Sequence, residues 1–89
     1  MKSITTKAGF TIEVNAERFN DMRVLEKLAD VKEGDVTSFP RLVEMTLGKE
    51  GKEALYKFYE EDGRVPTEVI SEVYFDEIMI LAGDDVKNS

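Results

Sequence analysis

The sequence predicts an α+β, mainly α domain, in which an N-terminal β-hairpin is followed by about four short helices in a compact bundle. Apolar residues alternate with polar ones over residues 4–14, and beyond them they recur at every third or fourth position. Glycine and proline then divide the helical region into segments. The 89 residues suffice for one modest core, so we expect a single small helical domain at 1–82 and a flexible C-terminal tail at 83–89.

The hairpin is predicted by two short runs of period-two alternation. In the second run Phe10, Ile12 and Val14 alternate with polar residues, and Ala8 and Gly9 supply the turn before it. An isolated two-stranded hairpin is barely stable in water. We therefore expect the three apolar side chains of the second strand to face a core that the helices provide.

The first helical region begins with two asparagines that are suited to capping. Asn15 is predicted to cap a short turn over residues 16–19, and Asn20 to cap a longer helix that runs through Val31. That helix is predicted to be amphipathic. Its recurring apolar positions are Phe19, Met22, Leu25, Leu28 and Ala29.

Two further helices are predicted on either side of a glycine. Ser38 is the expected N-cap of the second helix, with Pro40 in the first turn, where a missing N–H costs nothing. Gly48 is expected to end that helix. The third helix is predicted at residues 49–61, with Gly63 as its C-terminal cap.

The composition excludes most enzyme chemistry. Lys and Arg number 12 against 19 Asp and Glu, so the formal net charge is −7, and the chain contains no His, Cys or Trp. The commonest general base and metal ligand and every cysteine-based site are therefore absent. The negative charge disfavours nucleic acid and anionic membranes, and no apolar run reaches the length of a membrane helix. We expect a soluble intracellular protein that is not an enzyme and has no cofactor and no metal.

Two superficial motifs fail, one on spacing and one on the residue types at its ligand positions. Only two residues separate Gly48 from Gly51, and Glu53 follows Lys52, so a phosphate-binding loop is not predicted. Aligning residues 60–65 with a calcium loop would place apolar side chains at its first and last ligand positions. No catalytic residue is predicted.

The last helix is predicted to open at 65–67 and to run to about Ala82. On a helical wheel, Phe75 and Met79 fall outside its wide apolar face, on the side of acidic residues, whereas Glu77 falls inside that face without explanation. An aromatic and a methionine beside carboxylates suit a partner-binding surface, although self-association or coverage by the core would equally explain them. The candidate partner-binding residues are Glu72, Tyr74, Phe75, Asp76 and Met79.

Most of the chain resembles the tail assembly chaperones of long-tailed phages and prophages of Gram-positive bacteria. Residues 9–14 (GFTIEV) are similar to the family's opening strand and residues 21–30 (DMRVLEKLAD) to its first helix. Residues 40–48 (PRLVEMTLG) resemble its central helix with a Leu-Gly stop, and residues 61–66 (EDGRVP) precede an acidic apolar helix. The resemblance covers roughly residues 9–81.

The resemblance implies a non-enzymatic role in virion assembly. Such chaperones bind the tape measure protein, a long helical polypeptide that sets tail length, keep it soluble and help recruit tail tube subunits. They act in the cytoplasm of the infected or lysogenic bacterium and are absent from the finished particle. The resemblance therefore implies that the partner is the tape measure protein, with the tail tube protein as a second candidate. A homo-oligomer is a separate candidate, from self-association of the surface around Phe75 and Met79.

Two other functions remain open at this stage. An acidic regulatory protein or DNA mimic would need carboxylates spaced like phosphates on an outer surface, and six residues are candidates for this role: Glu60, Glu61, Asp62, Glu68, Glu72 and Asp76. A helix-turn-helix DNA binder is opposed by charge, because the lysines at 49, 52 and 57 are offset by neighbouring glutamates.

Overall fold

The computed structural model describes the backbone of residues 1–87 and the side chains of residues 1–83. In this part of the chain the elements are β1 (Lys2–Thr5), β2 (Thr11–Val14), a 3-10 helix (Ala16–Phe19), α1 (Met22–Lys32), α2 (Ser38–Tyr59), α3 (Thr67–Val73), a π-helical segment (Tyr74–Ile78) and α4 (Met79–Lys87). The last three follow one another without a break and are called the C-terminal helix. The predicted α+β, mainly α class with an N-terminal hairpin is confirmed. Within the described residues the long helices number three rather than about four, because α2 contains both predicted middle helices.

The hairpin forms where the alternation predicted it. β1 and β2 pair antiparallel, with Ile4 opposite Ile12, and the Thr6 N–H donates to the Phe10 carbonyl at 2.8 Å to close the turn. Gly9 lies in this turn with a φ of 99°, a conformation that favours glycine. Ile4, Phe10 and Val14 are buried and Ile12 is half-buried against the core, so the strand faces the helices as expected.

The 3-10 helix and α1 are capped by an asparagine and an aspartate. Asn15 Oδ1 accepts from the Glu17 N–H at 3.1 Å, as predicted. The prediction of Asn20 as the cap of α1 is wrong, because Asn20 terminates the 3-10 helix and Asp21 Oδ1 accepts from the Arg23 N–H at 2.8 Å instead. An ionised carboxylate at this position also interacts favourably with the helix dipole.

The buried face of α1 differs from the predicted apolar pattern. Val24 is buried and Leu28 is half-buried against the core, whereas Met22 is 67% and Leu25 56% exposed. The helix carries two apolar series whose centres lie about 120° apart around its axis. Packing against α2 selects the series that begins at Val24, so spacing alone identified the helix but not its buried side.

A kink at Gly48 divides α2 where the sequence predicted a helix end. Gly48 has a φ of 80° and a ψ of 168°, and the helix resumes and ends at Tyr59. Lys52 Nζ donates to Glu44 Oε1 at 2.8 Å and so links the two halves across the kink. The side chains of α2 that enter the core are Phe39, Leu42, Val43, Thr46, Leu47 and Leu55.

Ser38 is not the N-cap of α2. It is the first residue of the helix, and its hydroxyl donates to Asp35 Oδ2 at 2.9 Å rather than accepting from a helical N–H. Thr37 occupies the cap position without a side-chain cap bond, and its hydroxyl donates to Asp35 Oδ1 at 2.6 Å. Pro40 lies in the first turn as predicted.

Gly63 belongs to a tight turn and not to a helix cap. Asp62 and Gly63 have φ values of 51° and 82°, and the backbones of Glu61 and Arg64 exchange hydrogen bonds of 2.8 and 3.0 Å around them. Positive φ at both central positions defines a type I′ turn. α2 therefore ends before this turn, with Glu60 at its C-cap position.

The π-helical segment realigns the apolar face of the C-terminal helix. The buried residues Ile70, Tyr74, Ile78 and Ala82 are spaced by four, and on an unbroken α-helix a spacing of eight would already rotate the face by about 80°. The Met79 N–H donates to the Tyr74 carbonyl, a wider turn that removes this drift. Glu77 is thereby moved off the buried face.

α4 continues to Lys87, beyond the helix end expected near Ala82. The tail predicted at 83–89 includes Asn88 and Ser89, which lie outside the described residues, and its flexibility stays a prediction. No helix within residues 1–87 combines the length and apolar character that are needed to cross a lipid bilayer.

Candidate protein-binding surfaces

Phe75 and Met79 lie at the margin of the core. The Phe75 ring stacks on Phe39, with centroids 5.3 Å apart and an interplanar angle of 27°, and it meets Tyr74 edge-on at 5.2 Å. Both Phe75 and Met79 are half-buried and pack against the core cluster. Each side chain therefore contributes to stability on one side and remains accessible on the other.

Tyr74 lies in the core and not on the surface. It has no exposed area, and its hydroxyl lies 2.7 Å from Thr46 Oγ1, which in turn is within 3.2 Å of the Leu42 and Val43 carbonyls. Thr46 donates to these carbonyls and accepts from the tyrosine. Burial raises the pKa of Tyr74 well above its ordinary value of 10.0. A partner cannot reach Tyr74 in this conformation, so its role is to join α2 to the C-terminal helix.

Glu72 and Asp76 are exposed beside the accessible sides of Phe75 and Met79. Residues three or four positions apart are neighbours on a helix surface, so these four side chains form one strip, here called the acidic-apolar patch. The structure brings together four of the five predicted site residues. Such a strip can cover an apolar side chain and pair with a cationic one on the same partner.

Glu77 connects the C-terminal helix to the hairpin. Its Oε1 accepts from the Lys7 N–H at 2.6 Å, and Lys2 Nζ donates to the Leu81 carbonyl at 2.7 Å. These two bonds hold the hairpin against the C-terminal helix and so fix the orientation of the helix surface that carries the patch.

A second apolar surface, on α1, was not identified from the sequence. Met22, Leu25 and Ala29 are exposed on a side of the helix that lies about 120° from the series packed against the core. Phe19 and Met22 help to line a hollow of about 190 Å³ next to this surface. The signal was present in the sequence, because α1 contains two apolar series and a helix with one packed face needs only one.

Within residues 1–83 no three acidic side chains are grouped closely enough to hold a metal ion. Comparison of the chain with protein-family models, curated proteins and solved structures yields no match.

Proposed function

We propose that this protein is a non-enzymatic phage tail assembly chaperone, which binds the tape measure protein and assists tail tube assembly in the bacterial cytoplasm. The resemblance of residues 9–81 to that family supports this function. The structural observation that carries it is the acidic-apolar patch, where Phe75 and Met79 present partly exposed apolar surface beside the carboxylates of Glu72 and Asp76.

The patch has the chemistry that a solubilising partner needs. Aromatic and methionine side chains contribute strongly to protein interfaces, and methionine adapts its shape to different partners. The flanking carboxylates and the net charge of −7 give the complex a negative, hydrated surface. A long helical protein with apolar segments would be shielded from its own copies by several such chaperones.

The test is co-expression with the tape measure protein encoded in the same genome. The wild-type chain should raise the soluble fraction of that protein and co-purify with it. The double variant Glu72→Lys, Asp76→Lys should lose both effects, because it replaces the carboxylates beside the apolar pair and both sites are exposed. No solubilisation and no co-purification by the wild-type chain would overturn the proposed function.

The matched control is Glu13→Lys, Glu17→Lys. Both glutamates are exposed outside the C-terminal helix, and the control changes the net charge by the same amount. It should retain binding. Equal losses in the two double variants would show that net charge and not the patch is responsible.

Truncation of the apolar pair tests the same patch by packing. Phe75→Ala with Met79→Ala should weaken co-purification, and circular dichroism must show that the helices persist, because Phe75 also stacks on Phe39. Loss of the helical spectrum would indicate that the pair serves the core.

A second candidate function is an acidic regulator that occupies the DNA site of another protein. The observation that favours it is that all six candidate acidic residues are exposed: Glu60, Glu61, Asp62, Glu68, Glu72 and Asp76. A mimic should bind a DNA-binding protein, be displaced by duplex DNA and be released as salt rises. Binding that duplex DNA does not displace would count against this function.

A further inference from the structure

α1 leaves an apolar stripe uncovered although another side of the helix packs against the core. Met22, Leu25 and Ala29 lie within about 60° of one another around the helix axis and are all exposed, the first two by 67% and 56%. This set is called the α1 stripe. The hollow of about 190 Å³ at its N-terminal end is lined partly by Phe19 and could receive one apolar side chain.

The edges of the α1 stripe carry different charges. Glu26 and Glu33 are exposed and lie within about 40° of Met22, on the side away from Leu25. Asp30 lies further round on the same side, and its carboxylate is 3.7 Å from Lys27 Nζ. Lys32 borders the opposite edge. An apolar stripe with one acidic edge is complementary to a helix that has an apolar stripe and one basic edge.

We propose that the α1 stripe is a docking surface for an amphipathic helix of a partner protein, with Lys or Arg along the flank that meets Glu26 and Glu33. Charge selects this occupant over a second copy, since each copy carries −7 and the same acidic edge. The surface is distinct from the acidic-apolar patch and does not rest on the chaperone function.

The first experiment uses a synthetic amphipathic peptide of about 14 residues, with leucine at helical spacing and lysine on one flank. Its affinity is measured by fluorescence anisotropy, and its position by amide shifts in NMR spectra. It should bind with shifts confined to the 3-10 helix and α1, whereas a scrambled peptide of the same composition and a peptide with glutamate flanks should not. No binding, or equal binding of the scrambled peptide, would overturn the proposal.

The variants locate the surface. Met22→Ser with Leu25→Ser should weaken binding at least about tenfold, because both apolar contacts are removed. The matched control is Ile80→Ser, at a side chain that is 55% exposed beside Thr5 and Lys7. It should leave the affinity unchanged. Equal losses in the two variants would overturn the assignment to α1.

A charge exchange tests the acidic edge directly. Glu26→Lys with Glu33→Lys should lose the lysine-flanked peptide and gain the glutamate-flanked one, and an unchanged preference would contradict the proposal. The Glu72→Lys, Asp76→Lys variant should still bind the lysine-flanked peptide, so that a failure here is separable from a failure of the chaperone function. A dimer that forms in sedimentation equilibrium and is abolished by Met22→Ser, Leu25→Ser would show that a second copy is the occupant instead.

Discussion

The hydroxyl groups of Thr46 and Tyr74 form a polar contact within an apolar core. Thr46 is 1% exposed and Tyr74 has no exposed area, yet every buried polar side-chain atom among the described residues has a partner. A buried hydroxyl without a partner costs more than a hydrogen bond gains. The pair therefore specifies how α2 packs against the C-terminal helix. A shift between the two helices would separate the two hydroxyl groups and break their hydrogen bond.

A double-mutant cycle measures this contact. Thr46→Val leaves the tyrosine hydroxyl buried without a partner and should lower the free energy of unfolding by about 1–3 kcal/mol. Tyr74→Phe should cost less, because Thr46 retains its carbonyl partners. The double variant should cost less than the sum, as judged by urea unfolding. Strictly additive losses would show that the two hydroxyls do not interact.

The carboxylate of Asp35 makes hydrogen bonds at the start of α2 whose contribution to stability depends on pH. Hydrogen bonds from the Thr37 and Ser38 hydroxyls lower the pKa of Asp35 below its ordinary value of 3.8. Because the folded-state pKa is depressed, the stability that this group contributes is present above its unfolded pKa and is lost as the pH falls through the folded value. Asp35→Ala should therefore unfold more easily than wild type at pH 7.

The difference in the free energy of unfolding between wild type and Asp35→Ala should disappear at acid pH. Urea unfolding as a function of pH should show the gap shrinking once the pH drops below the ordinary pKa of 3.8. A gap that stays constant into strong acid would mean that Asp35 acts through something other than its charge.

At the scale of elements, glycine and proline punctuation predicted several boundaries and the spacing of apolar residues predicted the helices. Gly48 marks a real interruption, and the start of α3 after Pro66 was anticipated. A helix after Gly48 was predicted, but not that it would continue from the helix before it. A glycine indicates a break without fixing the direction of the helix that follows. Glu77 fell inside the apolar face of the helical wheel because the wheel assumes a constant number of residues per turn. The π-helical segment changes that number and so moves Glu77 off the buried face.

Gly48→Ala tests the kink. The backbone at Gly48 lies in a region that is essentially restricted to glycine, and a Cβ there would lie 3.2 Å from an Arg18 guanidinium nitrogen. We expect a loss of about 1–3 kcal/mol in the free energy of unfolding. The control Gly83→Ala, in α4 with no atom within 4 Å of the new Cβ, should be neutral or stabilising. Equal effects of the two changes would contradict the strain argument.

Deletion of Glu77 tests the π-helical segment. Removing one residue allows regular α-helical turns to align Ile70, Tyr74, Ile78 and Ala82, so the fold should survive with a change of no more than about 1–2 kcal/mol. The loss of the bond to the Lys7 N–H accounts for part of that cost. Circular dichroism and urea unfolding measure the result.

The matched control is deletion of Glu53, an exposed residue in the second half of α2. That half has no wider turn to absorb the change, so Leu55 would be rotated out of the core and the protein should be severely destabilised. Similar tolerance of both deletions would show that the π-helical segment does not set the register.

Over the whole molecule, the placement of the five candidate site residues could be predicted only in part from the sequence. The grouping of the four patch residues could be predicted because all four lie on one helix. Tyr74 was misplaced because its partner Thr46 lies 28 positions away. The α1 stripe was missed because the choice between the two apolar series of α1 depends on α2, which periodicity within one helix does not encode.

Salt should stabilise the whole domain. A net charge of −7 on a chain with a radius of gyration of 12.5 Å is self-repelling, and ionic screening reduces this repulsion. Raising NaCl from low to about physiological strength should increase the thermal midpoint by roughly 2–8 °C. The Glu72→Lys, Asp76→Lys variant should respond less. A falling midpoint would mean that ion pairs such as Glu44–Lys52 outweigh the repulsion.

The contacts of Lys2 with Leu81 and of Lys7 with Glu77 also set the order in which the fold can be completed during translation. The residues of these two contacts lie 79 and 70 positions apart in the sequence, so the hairpin must wait for at least that length of chain before the C-terminal helix can cover it. Until then β1 lacks the C-terminal helix that packs against it. The core can therefore close only after that helix has been synthesised. A nascent chain that stalls before this point leaves the hairpin uncovered and accessible to other chains.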